Sequence, residues 1–282
     1  GPDGVTRAPV FDITVLADLQ EWVHAVDAFR VRSDAQRLVE LLEKAHRRPW
    51  LARESGDSAV PRRLQKMAGC LRDFSRSLRL MRALDALEQA ERARTLARQV
   101  EQEAAVWAKP FSHILTSVAA EVDSLAMDKP SDLEVEALTR QLALVKHYVA
   151  KDLIVQGVLL SREWLVNWLA WRCGEADWLD LQGRRRLECA LSRAARRLRG
   201  QVEPEDETER TAERGPAPPD WFEALPEAQE AAELWDDLTS ARNDIAHCGM
   251  NTGPKPAHAL GETAKRLLGR MEGLLESSTS GA

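Results

Sequence analysis

The chain has 282 residues, 44% of them hydrophobic and 30% charged, a soluble balance with enough length for one large core or two ordinary ones. Ala, Leu, Arg and Glu recur while β-branched and aromatic clusters do not, so the composition favours an all-α fold. A net charge of −6 argues against nucleic-acid binding by the molecule as a whole and confines any such role to a local basic patch.

The predicted elements run as follows. From Phe11 an apolar series at helical spacing, Leu16, Leu19, Val23, Val26 and Phe29 (or Arg30), gives a first helix, capped by Asp12 or Thr14. A second helix spans Ser33 to His46 with Leu38, Leu41 and Leu42 inward. Pro61 then opens an Arg- and Leu-rich stretch through Trp107 with almost no breakers, which is one long helix or two with a subtle kink. Its charges read as the solvated face of a bundle. Pro110 and Pro130 bracket a helix containing His113.

Beyond Ser131 come two helices, Leu133 to about Val149 and Asp152 to Cys173. The second is apolar nearly all round, as a central bundle helix is. The next, LQGRRRLECALSRAARRLRG, carries a stripe of Leu187, Leu191, Ala194 and Leu198 and seven arginines against one glutamate. The acidic, Pro-rich stretch QVEPEDETERTAERGPAPPD has no period and reads as an exposed, mobile loop. Helices from about Pro226 to His247 and from Ala257 to Leu275 complete the chain. No internal repeat is found. The expected organisation is a helical region over 1–130 and a helical-bundle domain over 131–282.

The stretch ARNDIAHCGM, Ala241 to Met250, places Arg242 and His247 five positions apart at a helix end. The inward stripe there runs Ala228, Ala231, Trp235, Leu238, Ala241 and Ile245. At 100° per residue Arg242 falls within roughly 40° of its centre and His247 nearly opposite. One straight helix cannot aim both side chains at one substrate atom. Either the helix ends near Gly249, a C′ glycine, with both leaning over its rim, or a second copy of the helix faces the first. The second arrangement suits cleavage of RNA without metal. One group takes the 2′-hydroxyl proton, another protonates the departing 5′-oxygen, and an arginine stabilises charge on the phosphorane oxygens. On spacing alone, however, an Arg-x4-His pair fits a surface histidine and a salt-bridged arginine better. The adjacent Asn243, the glycine and the arginine-dense helix strengthen the catalytic reading. In that helix Arg185, Arg196 and Arg197 are candidates to track a phosphate backbone, or else a solvated face paired with the acidic loop.

Other signals are weaker. His24, His46, His113, His147 and His258 are dispersed without metal-ligand spacing, and Cys70, Cys173, Cys189 and Cys248 form no C-x-x-C pair. This fits a reducing, cytoplasmic compartment and gives no metal site. No apolar run approaches the ~20 residues needed to span a bilayer. Of nine tryptophans, Trp164, Trp168 and Trp171 share one face of an apolar helix and read as core, while Trp50, Trp178 and Trp221 sit near breaks. The opening GPDGVTRAPV is neither a signal peptide nor an initiator methionine and reads as a cut edge with a domain missing upstream.

The segment TSARNDIAHCGM resembles the signature of HEPN ribonucleases. The helices LTRQLALVKHYVAKDLIVQGVLLSREWLVNWL that precede it resemble those of CRISPR-associated CARF–HEPN proteins, accessory effectors of type III CRISPR systems. The stretch PVFDITVLADLQEWVHAVDAF, followed by LVELL, resembles the region after the CARF sensor in that family. The likeness covers the beginning and the C-terminal half, and 50–125 least. It implies a C-terminal HEPN-like domain over 131–282, preceded by a helical linker or insertion after a missing sensor. It implies a homodimeric, metal-independent endoribonuclease in antiviral defence, needing no cofactor, which cuts single-stranded RNA and leaves a 2′,3′-cyclic phosphate. Arg242 and His247 of both protomers would be catalytic with Asn243 beside the arginine, while Arg162 and Glu163 match an Arg-Glu pair with a supporting role at most. Cyclic oligoadenylate would act only through a sensor this chain lacks. A catalytically silent HEPN-like interaction or regulatory module is the alternative.

Overall fold

A computed structural model describes residues 14–51, 61–201, 220–250 and 252–280. Among these residues every regular element is a helix. The acidic stretch 202–219 and Asp12 lie outside them, as do the side chains of Trp50 and Trp221. The chain divides into two compact units, one of Gly1–Arg79 and Gln89–Ala126, the other of Leu80–Glu88 and Met127–Ala282.

The first unit holds α1 (Thr14–Arg32), α2 (Gln36–Leu51), α3 (Arg62–Arg79), most of α4 (Ala83–Trp107) and α5 (Lys109–Asp123). Helix α1 packs on α5 and α2, and α2 on α3. Leu38, Leu41 and Leu42 are buried as their spacing predicts. The inward face of α1 differs from the expected one. Trp22, Ala25, Val26 and Phe29 are buried while Leu16, Leu19 and Val23 are exposed. The helix is apolar on two adjoining faces, and the one with the rings wins because aromatic side chains remove more area from water. Trp22 lies 5.6 Å from Phe111, and Phe29 lies 6.1 Å from Phe74 in an edge-on pair. The long stretch after Pro61 is two helices rather than one. They break at 80–82, where Met81 takes a positive φ of 56°, and the first turns of α4 belong to the second unit.

That unit contains α6 (Val135–Ala150), α7 (Ile154–Cys173), α8 (Leu181–Leu198), the single turn α9 (Asp220–Glu223), α10 (Ala228–Ala246) and α11 (Ala257–Ser280). Helix α7 touches α6, α8, α10 and α11, which is why it reads as apolar on almost every side. Trp164 and Trp168 are fully buried and keep their indole N–H groups satisfied on the Leu138 carbonyl (2.9 Å) and Ser278 Oγ (3.0 Å). Gly157 allows α6 to approach, since a Cβ there would meet Val149 Cγ2 at 3.1 Å. Asp180 caps α8 by accepting the N–H groups of Gln182 and Gly183 at 2.8 and 2.9 Å, and those bonds hold its carboxyl below the ordinary range. The expected α8 stripe holds at Leu187 and Leu191 but not at Leu198, which is 50% exposed. Ala190, Ala195 and Arg193 are buried instead.

Candidate functional site

Helix α10 is anchored about three turns before its end. Trp235 is buried and donates its indole N–H to Ser192 Oγ at 3.0 Å. The Arg162 guanidinium lies 4.3 Å from the Trp235 ring centre, a cation–π contact. Further along, Leu238 and Ala241 are buried, whereas Arg242, Asn243 and His247 are exposed. Arg242 therefore faces solvent although it lies close to the packed stripe in angle. Its Nη1 donates to Asn243 Oδ1 at 3.1 Å.

The helix closes with two bonds of a Schellman motif. Cys248 N–H donates to the Ile245 carbonyl at 3.0 Å, and Gly249 N–H to the Asp244 carbonyl at 3.3 Å. His247 is the last residue with near-helical backbone (φ −87°, ψ 5°). The C′ position is thus Cys248, not Gly249. Both take left-handed φ values, 52° and 68°, although the motif itself requires only the C′ residue to do so. Arg242 and His247 share a helix end with their directions about 140° apart. Arg242 and Asn243 touch, and His247 N–H donates to the Asn243 carbonyl at 3.0 Å.

Asp244 is the buried member of the motif. Its Oδ2 accepts the Lys255 backbone N–H at 3.2 Å, tying the 252–256 loop to α10. Beside it opens a cleft of ≈ 590 Å³ lined by Arg199, Asp236, Ser240, Asn243 and Lys255 among others. Spacing gave no signal for Asp244 and Lys255. The polar run TSARND at a helix end was the only hint of Asp244, and nothing pointed to Lys255.

The pair Arg162 and Glu163 belongs to a network joining three helices. Arg162 bonds Glu163 at 3.3 Å and Glu188 of α8 at 3.1 Å. Arg184 of α8 reaches Glu163 Oε2 at 2.7 Å, Asn167 Oδ1 at 2.7 Å and the Trp178 carbonyl at 3.2 Å. Asn167 in turn donates to Gln141 of α6 at 2.7 Å. Arg162 thereby holds α7, α8 and, through Trp235, the helix that carries Arg242 and His247. Of the three arginines read as a backbone track, Arg185 and Arg197 are exposed and Arg196 is half-buried. Arg196 Nε donates to the Ser192 carbonyl at 3.4 Å, and Arg197 pairs with Glu223. Arg185 and Arg196 share a face, since eleven positions are about three turns.

The remaining histidines are separated. His24, His113 and His258 are exposed, and His46 Nδ1 lies 3.0 Å from the Pro61 carbonyl. His147, half-buried near the end of α6, has its pKa pushed down to about 3, first by burial and then by Lys151. It is therefore neutral near pH 7. Among the described residues no three His, Cys, Asp or Glu side chains gather as a metal site, and no helix is long and apolar enough to cross a membrane.

The fold and this helix end define a two-unit chain, helical among the described residues, with a polar, basic-flanked candidate site in its second unit. A family model described as CRISPR-associated protein MJ1674, second domain, matches residues 18–125. The similarity associates the chain with CRISPR systems, and it falls on α1 to α5 rather than on α10. No curated protein matches the chain.

Proposed function

We propose that this chain is a metal-independent endoribonuclease of CRISPR-linked defence. It acts on single-stranded RNA through Arg242, Asn243 and His247, with the site completed by a second protomer. The observation that carries the reading is the exposure of all three side chains at one helix end. They sit there in a chain whose first unit is similar to a CRISPR-associated domain. Imidazole and guanidinium are the groups such cleavage needs: a proton acceptor and donor, and a fixed cation for the phosphorane. Their divergence on one helix is what a second copy of α10 across a two-fold axis would remedy. Arg162 acts as a positioning residue through Trp235, and Glu163 through Arg162 and Arg184.

The test is cleavage of end-labelled single-stranded RNA in EDTA by the wild type, His247→Ala and Arg242→Ala. Loss of about 2.7–4 kcal/mol of transition-state stabilisation, 10²- to 10³-fold in rate, is expected for each. Equal cutting by wild type and His247→Ala would reject the assignment and leave the silent interaction module. Light scattering is expected to show a dimer at micromolar concentration, and a monomer that cuts at full rate would overturn the shared site.

A further inference from the structure

The cleft beside α10 shares Asn243 with the proposed catalytic constellation, but most of its polar groups lie outside it. Arg199, at the end of α8, and Lys255, in the loop after α10, bring two cations to its wall. Asp236 and Ser240 bring a carboxylate and a hydroxyl from one face of α10. Asp244 is committed to the loop through the Lys255 N–H at 3.2 Å. Asp236 is less engaged: Arg199 Nε stands 3.7 Å from its Oδ1, an ion pair too long for a hydrogen bond. Thr239 also lines the cleft, but its Oγ1 is closed to solvent and gives a ligand no open hydrogen-bonding group. At ≈ 590 Å³ the cleft exceeds a nucleobase and suits a nucleotide.

We infer that this cleft is a nucleotide subsite for the RNA strand next to the cut, with Asp236 selecting guanine and Arg199 and Lys255 holding the flanking phosphate. The inference rests on the ribonuclease reading for its substrate but not for its test. An ionised carboxylate only accepts hydrogen bonds. Guanine alone presents two adjacent donors, N1–H and N2–H, on its Watson–Crick edge. Adenine and cytosine set an acceptor beside their amino group, and uracil sets carbonyls beside its single N–H. Single-stranded RNA leaves those edges open to protein, and the two cations match phosphate. Asn243 links the subsite to Arg242, whose Nη1 donates to its side chain at 3.1 Å.

The experiment titrates the intact chain with 5′-GMP, 5′-AMP, 5′-CMP and 5′-UMP by calorimetry, in wild type, Asp236→Asn and Arg199→Gln. GMP is expected to bind at least about tenfold more tightly than the others, the worth of one bidentate base contact. Asp236→Asn is expected to abolish that preference while AMP binding stays unchanged, and Arg199→Gln to weaken all four alike. Equal binding of the four nucleotides, no binding, or a guanine preference that survives Asp236→Asn overturns the subsite. An RNA that wild type and His247→Ala cut equally, while the guanine preference stands, removes the catalytic assignment alone.

Discussion

Cys248 occupies a backbone position that glycine ordinarily takes, with φ 52° between His247 and Gly249. The left-handed region costs an L residue roughly 1–2 kcal/mol, whereas a new glycine costs roughly 0.4–1 kcal/mol through the unfolded chain. The first term is the larger, and the Cys248 side chain is exposed, so no packing is lost. Cys248→Gly is therefore expected to stabilise the protein by about 0.5–1 kcal/mol, read as a higher urea midpoint with an unchanged slope. A lower midpoint would mean that the thiol contributes more than its geometry costs. RNA cleavage is expected to persist, because the Schellman bonds from residues 248 and 249 that hold His247 at the helix end are backbone bonds.

Two arginines of α8 show how position on a helix decides energetic weight. Arg184 has 16% of its side chain exposed, ion-pairs with Glu163 at 2.7 Å and also bonds buried Asn167. Arg197 has 51% exposed and pairs with Glu223, which is itself 60% exposed. Arg184→Met is expected to cost roughly 2–4 kcal/mol, because Asn167 is left buried without its acceptor's partner and Glu163 loses its cation. Arg197→Met is expected to cost under about 1 kcal/mol. Chemical denaturation of the two variants checks the contrast, and similar losses would refute it. That contrast also marks how far the sequence was legible. Helix α7 announced its central place through a surface that is apolar nearly all round, whereas the cap Asp180 at the start of α8 stands outside that apolar pattern. The α8 arginines all looked alike, since periodicity reports which residues are polar and not which polar residues find partners. So Arg184 and Arg193 passed for solvated face. In α1 two apolar faces competed, and only packing against Phe74 and Phe111 chose Trp22 and Phe29. The motif from Arg242 to His247 was visible as residue types at a helix end. The cleft behind it was not, because Arg199, Asp236 and Lys255 converge only through the fold.

Over the whole molecule the charge balance sets the terms on which RNA can bind. The chain carries 45 acidic against 39 basic side chains, so long-range attraction to a polyanion is absent and any grip on RNA is local and salt-sensitive. Arg185 and Arg196 share one face of α8, with Arg197 a quarter-turn away, and α8 ends at Arg199 on the cleft wall. A strand lying along that face would pass from these arginines into the cleft beside Asn243. If the three arginines meet phosphates, changing all of them to Gln removes up to three contacts. The slope of log affinity against log salt is then expected to flatten by up to about 2, at ~0.7 per phosphate on a single strand. Gln keeps the length and polarity, so the bundle survives, and Arg197 leaves only an exposed Glu223 behind. Binding is measured with His247→Ala as background, by anisotropy of a labelled oligonucleotide over a range of salt, to keep the strand intact. A flattened slope with weaker binding marks α8 as the track that feeds the cleft. A slope that matches the parent's assigns the three arginines to the solvated face.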